Sequence, residues 1–225
     1  MKKKGKIRGS TTVDKTNNIN IKTREMFGLS FFGSNLNLLL NDLSLRLGEK
    51  VKNIWITTVN PEFIMAMMKD QKFADIISKS SIKVIDGIGL IWAYNVLKYK
   101  RGLGRWSQAI KIFGEILRGK RRGEVISGSD LMAEICQKNS HSKIFFLGGW
   151  EDRAKRSADF FKSKNKKLET RYSSGEPEID NETVIKEINN FKPDYLFVAY
   201  GMKRQEEWIM ANLNKLQVGV VMGVG

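Results

Sequence analysis

A strand-like run followed by a helix-like segment recurs along this chain, and that alternation constrains the fold more than any other feature. Residues 53–58, 82–85, 143–147, 195–199 and 218–222 are short apolar or β-branched runs bounded by turn residues. Segments with helical spacing follow the first four of them, over 61 onward, 88–97, 152–162 and 204–216, and a further helix is expected over 183–189. Asn60 before Pro61 supplies a helix start, a capping side chain followed by proline at the first helical position. Strands alternating with helices imply parallel pairing through crossovers. The expected fold is therefore α/β, an open, mostly parallel Rossmann-like sheet with helices on both faces.

The carboxyl ends of these strands carry the chemistry. Thr58 and Asn60 close the first, Asp86-Gly87 the second, Gly148-Gly149 the third, and Gly201 the fourth. In open α/β sheets ligands bind in the crevice at those ends. Glycines there let the backbone approach a phosphate, and the following helix N-termini offer unpaired N–H groups, although glycine also simply tightens βα turns. Asp86 is placed either to act as a general base or to cap the next helix. Thr58 and Asn60 can hydrogen-bond a sugar or orient a base. Lys203 and Arg204, with Gln205-Glu206 behind them, open a helix where cations work against its dipole, a misfit that suits a diphosphate ligand. Ser127-Gly128-Ser129-Asp130 opens another helix with side chains suited to capping or to phosphate and ribose contact.

Charge and composition exclude several classes. The net charge of +15 over 225 residues calls for an anionic partner, whether nucleic acid, an acidic membrane surface or a phosphorylated substrate. It is concentrated at Lys2-Lys3-Lys4, Lys6 and Arg8 and again between Lys98 and Arg122. Residues 1–25, polar, basic and aperiodic, are expected to form a structureless arm, leaving 26–225 as one domain. One cysteine, Cys136, and one histidine, His141, leave no zinc site to expect. Cys136 sits in an apolar helical stretch and is expected to be inert packing. No run of 18 apolar residues and no signal-peptide core occurs, so a cytoplasmic protein, peripheral to a membrane, is expected. There is no Walker loop, and Trp92 stands where the third glycine of a dinucleotide fingerprint belongs after Gly87 and Gly89.

Five blocks, Thr58-Val59-Asn60-Pro61-Glu62, Ile85-Asp86-Gly87-Ile88-Gly89, Ser127-Gly128-Ser129-Asp130-Leu131, Phe146-Leu147-Gly148-Gly149 and Gly201-Met202-Lys203-Arg204-Gln205-Glu206, occur in a family's order. Together they resemble the WecG/TagA/CpsF glycosyltransferases over about residues 30 to 225. The resemblance implies inverting transfer of a sugar, typically N-acetylmannosamine or its uronate, from a UDP-sugar to a polyprenyl-diphosphate-linked saccharide in cell-surface polymer synthesis. It implies Asp86 as the base, Thr58 and Gln205 beside the transferred sugar, and the Gly148-Gly149 and Gly201 turns as the cradle for UDP. Asn60, Gly87, Ser129, Asp130, Lys203 and Glu206 complete the expected substrate-binding set, with no metal or other cofactor.

The chain departs from the family pattern at particular places. Val125 stands where an arginine is usual, with Arg121 and Arg122 nearby, and Lys203 stands where a proline is usual. The segment from 98 to 123 is longer than usual and basic. The sequence ends at Gly225, where family members continue into a basic C-terminal appendage, so that appendage is expected to be missing from this chain. Trp106, Ile110, Phe113 and Leu117 recur at helical spacing among Lys111, Arg118 and Lys120. That pattern suits either a helix lying on an anionic bilayer or an amphipathic helix packed on the core with a solvated charged face. Two further readings follow from the same residues. One is a UDP-sugar-binding relative with weak or no turnover; homo-oligomer formation, a separate expectation, would follow where an absent tail exposes apolar surface. The other is a basic nucleic-acid-binding protein, which lacks any reading motif, so no specific nucleic acid is expected.

Overall fold

The computed structural model describes residues 9–13, 20–99, 102–120, 125–138, 141–174 and 182–225. Its centre is a six-stranded parallel sheet. Its strands are β4 (Ile54–Val59), β5 (Ile82–Ile85), β6 (Lys143–Gly148), β7 (Glu169–Ser173), β8 (Tyr195–Ala199) and β9 (Val220–Gly223), in the order β5-β4-β9-β8-β6-β7. From β4 the chain steps to β5 at one edge, from β6 it steps to β7 at the other, and β8 and β9 fill the middle. The winding direction thus reverses over the centre of the sheet, where the carboxyl ends of neighbouring strands open a crevice.

Both sheet faces are buried, which is why the central strands read as continuous apolar runs rather than alternating ones. Ile54, Ile56, Val220, Met222, Tyr195, Phe197, Ile144 and Phe146 face one layer of helices: α1 (Leu36–Gly48), α6 (Gly128–Lys138) and α7 (Arg153–Lys164). Trp55, Val221, Leu196, Val198, Phe145 and Leu147 face the other way, onto α8 (Glu182–Phe191) and α9 (Arg204–Asn212). Burying each such aromatic or branched side chain contributes about 1.5–3 kcal/mol.

A third core forms beyond β4 and β5. Val59 and Ile85 pack with α2 (Pro61–Lys69), α3 (Gln71–Ser78) and α4 (Ile88–Leu97). The Asn60 cap is present: its Oδ1 accepts from the Phe63 N–H at 3.0 Å, with Pro61 beginning α2. The helix α5 (Leu103–Leu117) lies outside this core and packs on α4.

Within the segment 1–25, expected to be a structureless arm, the described residues 9–13 and 20–25 lie in strands. β1 (Gly9–Val13), β2 (Asn20–Met26) and β3 (Leu29–Phe32) form an antiparallel sheet of three strands. Phe27 and Gly28, at φ 54° and 79°, make the two-residue turn between β2 and β3. Met26, Leu29 and Phe31 anchor this hairpin in the third core, and β3 lies against β5. Its strands are mostly polar, so composition hides them; the cross-strand ladder and a few anchors hold them. Residues 1–8, with the first lysine cluster, and Arg121 and Arg122 lie outside the described residues.

Candidate active site

The structure gathers the predicted residues into two groups at the carboxyl edge of the sheet. The first stands on β4, β5 and the start of α6. Asp86 follows β5, half-buried, and its Oδ2 accepts a hydrogen bond from the Gly128 N–H at 3.2 Å. Asp86 therefore caps α6, not the helix that follows it. Gly87 stands at the N-cap of α4 with φ 96° and no side-chain cap. Gly87 and Gly89 both lie close to the Pro61 ring, so the β5–α4 turn nests on the start of α2.

Thr58 belongs to the same group. A methyl group placed on Gly128 would sit 3.2 Å from both Oγ1 and Cγ2 of Thr58, so glycine is what lets α6 begin this close to the strand end. Thr58, Asp86 and the α6 N-terminus thus share one small volume, joined on the β4 side by the Asn60 cap. Ser129 and Asp130, one and two residues further along, are exposed on the first turn of α6. Ser129 Oγ lies 2.8 Å from Ser127 Oγ.

The second group surrounds a cleft of about 270 Å³ over β6, β8 and β9. Gly148, Gly149, Trp150, Arg153, Gly201 and Gly225 line it. Gly148, at φ 85°, is required by close approach: a methyl there would meet the Tyr200 ring at 2.6 Å. Gly149, also at φ 85°, donates its N–H to Ala199 O at 2.8 Å, tying the β6 turn to β8. Three of these lining residues, Trp150, Arg153 and Gly225, carry no site signal in the sequence. Trp150, 76% exposed, and Arg153, at the start of α7, follow the glycine pair and were masked by an apparently ordinary helix entry.

Gln205 and Glu206 are buried beneath this cleft. Gln205 Oε1 accepts from the Gly225 N–H at 3.0 Å, holding the residues after β9 at the cleft wall. Glu206 Oε2 accepts from the Lys203 N–H at 2.7 Å and so closes the strained turn in which Lys203 adopts φ 75°. Burial pushes the Glu206 carboxyl up to about 6 despite hydrogen bonds from Gln205 and the Lys203 backbone that favour its charged form. The Lys203 ammonium pairs with Asp70 at 2.7 Å, an interaction that holds the lysine above and the aspartate below their ordinary values. That cation reaches α3 rather than standing alone over the cleft.

Asp86 and Thr58 do not line the glycine cleft. Two features connect the groups. β9, with Val224 and Gly225 beyond it, runs between β4 and β8, and α6 begins at Asp86 while its Met132 lines the cleft. A half-buried carboxylate stands on one side and a glycine-lined, helix-flanked cavity on the other, and backbone N–H groups of that kind can hold a phosphorylated ligand. Among the described residues no group of three His, Cys, Asp or Glu side chains is placed to hold a metal ion.

The glycosyl transferase WecG/TagA/CpsF family matches residues 24–107 and 106–225, which include both groups. The chain belongs to that family. Similar proteins include the N-acetylglucosaminyldiphosphoundecaprenol N-acetyl-beta-D-mannosaminyltransferases of Staphylococcus aureus strain NCTC 8325 and strain COL. Each is 30% identical over 177 residues, 79% of this chain. The matched part is 62% of the length of those relatives.

Proposed function

We propose that this chain carries the catalytic core of an inverting glycosyltransferase that moves a sugar, N-acetylmannosamine or a related hexose, from a UDP-sugar to a polyprenyl-diphosphate-linked saccharide. The observation that carries the reading is Asp86, held by the α6 N-terminus beside Thr58 and adjacent to a glycine-lined cleft. The names of the S. aureus relatives support the transferred sugar and the lipid-linked acceptor.

In this reading UDP occupies the cleft, with its diphosphate against the Gly148-Gly149 and Gly201 backbone and Arg153 supplying positive charge. The acceptor hydroxyl attacks the anomeric carbon from the face opposite UDP. Asp86 takes the hydroxyl proton as the new C–O bond forms, and the bond to UDP breaks with its electrons leaving on the diphosphate. One displacement inverts the anomeric configuration and needs no covalent intermediate. Thr58 orients the acceptor or the base, and no metal is assigned to the reaction.

In this reading the protein works peripherally at the inner face of the cell membrane, a placement that a lipid-linked acceptor supports. Among the described residues no helix is long and apolar enough to cross one.

A thermal-shift titration tests the donor site, using UDP, UDP-N-acetylmannosamine and UDP-N-acetylglucosamine, with ATP and NAD as controls. Stabilisation by the uridine compounds alone is expected. Equal stabilisation by ATP or NAD, or none by any nucleotide, would count against it. A transfer assay with a short-chain lipid-diphosphate acceptor then separates an active enzyme from a relative that only binds.

A further inference from the structure

Helix α5 carries two apolar faces, and the fold uses one. Ala109, Ile112 and Ile116 are buried against Val96, with Trp92 packed beside them. The neighbouring stripe, Trp106, Ile110, Phe113 and Leu117, is 72%, 74%, 53% and 69% exposed. Packing on α4 therefore does not explain the pattern found in the sequence. The stripe spans about 16 Å at helical rise.

The surroundings of the stripe indicate what covers it. Lys111, Arg118 and Lys120 are exposed along its outer side or just beyond its end, and none has a salt-bridge partner among the described residues. A continuous apolar strip edged by free cations matches an anionic bilayer, in which side chains enter the acyl boundary while cations meet lipid phosphates.

Its position also fits. Arg105 Nε donates to Val96 O at 3.3 Å, and Trp92 Nε1 to Ala109 O at 3.0 Å, so α5 doubles back along α4. Its C-terminal end returns toward the start of α4, where Ile88, 48% exposed, stands two residues after Asp86. We infer that the Trp106-Ile110-Phe113-Leu117 face of α5 is a docking surface for an anionic lipid bilayer, setting the mouth of the Asp86 site at the membrane plane. This deepens the membrane placement proposed above and rests on it.

The experiment is co-sedimentation of the full chain with vesicles of equimolar phosphatidylglycerol and phosphatidylcholine, against vesicles of phosphatidylcholine alone. Ile110→Ser/Phe113→Ser is compared with the unaltered chain; residues 1–8 are the same in both, so a difference reports on α5. Binding to the anionic vesicles is expected, with partitioning reduced at least about tenfold in the double variant. Lys111→Gln and Arg118→Gln should each weaken it about fivefold. All three variants alter exposed side chains, so unchanged melting and unchanged UDP stabilisation are the fold controls. Equal binding by the double variant would overturn the role of α5 while leaving membrane placement intact. No vesicle binding by the unaltered chain, with UDP stabilisation retained, would overturn the docking surface but not the transferase reading. A solution dimer that the double substitution dissolves, without vesicle binding, would assign the face to a second copy instead.

Discussion

The Gly128 N–H donates to Oδ2 of Asp86 at 3.2 Å across a separation of 42 residues. A helix N-terminus thereby holds a half-buried carboxylate at the end of a central parallel strand. One oxygen is committed to orientation, and the geometry leaves the other as the candidate proton acceptor. This contact is also what distinguishes Asp86 from an ordinary turn aspartate, which would cap the helix following it.

Asp86→Asn keeps an acceptor oxygen for the Gly128 N–H and removes the proposed base. Turnover should fall by about 10²- to 10⁴-fold, with UDP affinity and melting temperature nearly unchanged. Single-turnover transfer alongside UDP titration measures both. Activity close to the parent would remove Asp86 as the base.

Gly128→Ala tests how tightly Thr58 is placed. The added methyl stands 3.2 Å from Thr58 Oγ1 and Cγ2, tighter than ordinary contact, so the threonine or the first turn of α6 must shift. The stability cost should be small, about 1 kcal/mol, while transfer drops more than UDP binding. An unchanged turnover rate would show that the Thr58 position is not critical.

Gly148→Ala should act on the fold itself. Its φ is 85°, and the new methyl would lie 2.6 Å from the Tyr200 ring and 3.0 Å from Ala199 O. A loss of about 2–4 kcal/mol in urea unfolding is expected, with UDP binding weakened. A loss below about 1 kcal/mol would mean the turn relaxes freely.

Glu206 makes stability depend on pH in a defined direction. Its carboxyl titrates near 6 in the fold against an ordinary value of 4.5. Between those values the folded state keeps a proton that the unfolded state has lost, so stability falls as pH rises through the window and stays lower above about 6. Glu206→Gln removes this term while keeping an acceptor for the Lys203 N–H. The stability of the variant relative to the parent should rise by up to about 2 kcal/mol from pH 4 to pH 7.5, read from urea midpoints. A difference independent of pH would contradict it.

Cys136 is fully buried, and burial pushes its thiol up to about 12. Native protein should resist iodoacetamide at pH 8 and react stoichiometrically in denaturant, as intact mass would show. Labelling of the native chain would mean that α6 opens locally.

The sequence by itself determined the parallel α/β core, because strands buried on both faces must be apolar throughout and their helices need capped starts. Residues 53–58, 82–85, 143–147, 195–199 and 218–222 could be found that way, each within about two residues of a strand end. It also marked the strand-end residues Thr58, Asp86, Gly148 and Gly201, since glycine and polar side chains after an apolar run leave a local signal. The N-terminal hairpin and β7 were not legible: Glu169–Ser173 and most of Asn20–Met26 are polar, and their pairing with distant strands has no local trace. Tertiary structure alone decided which helix Asp86 caps, that Lys203 turns to Asp70, and that Glu206 is buried. It alone showed which apolar face of α5 is covered. Periodicity places Trp106 and Ile112 on the same helix, but only the position of α4 determines that one faces solvent and the other the core.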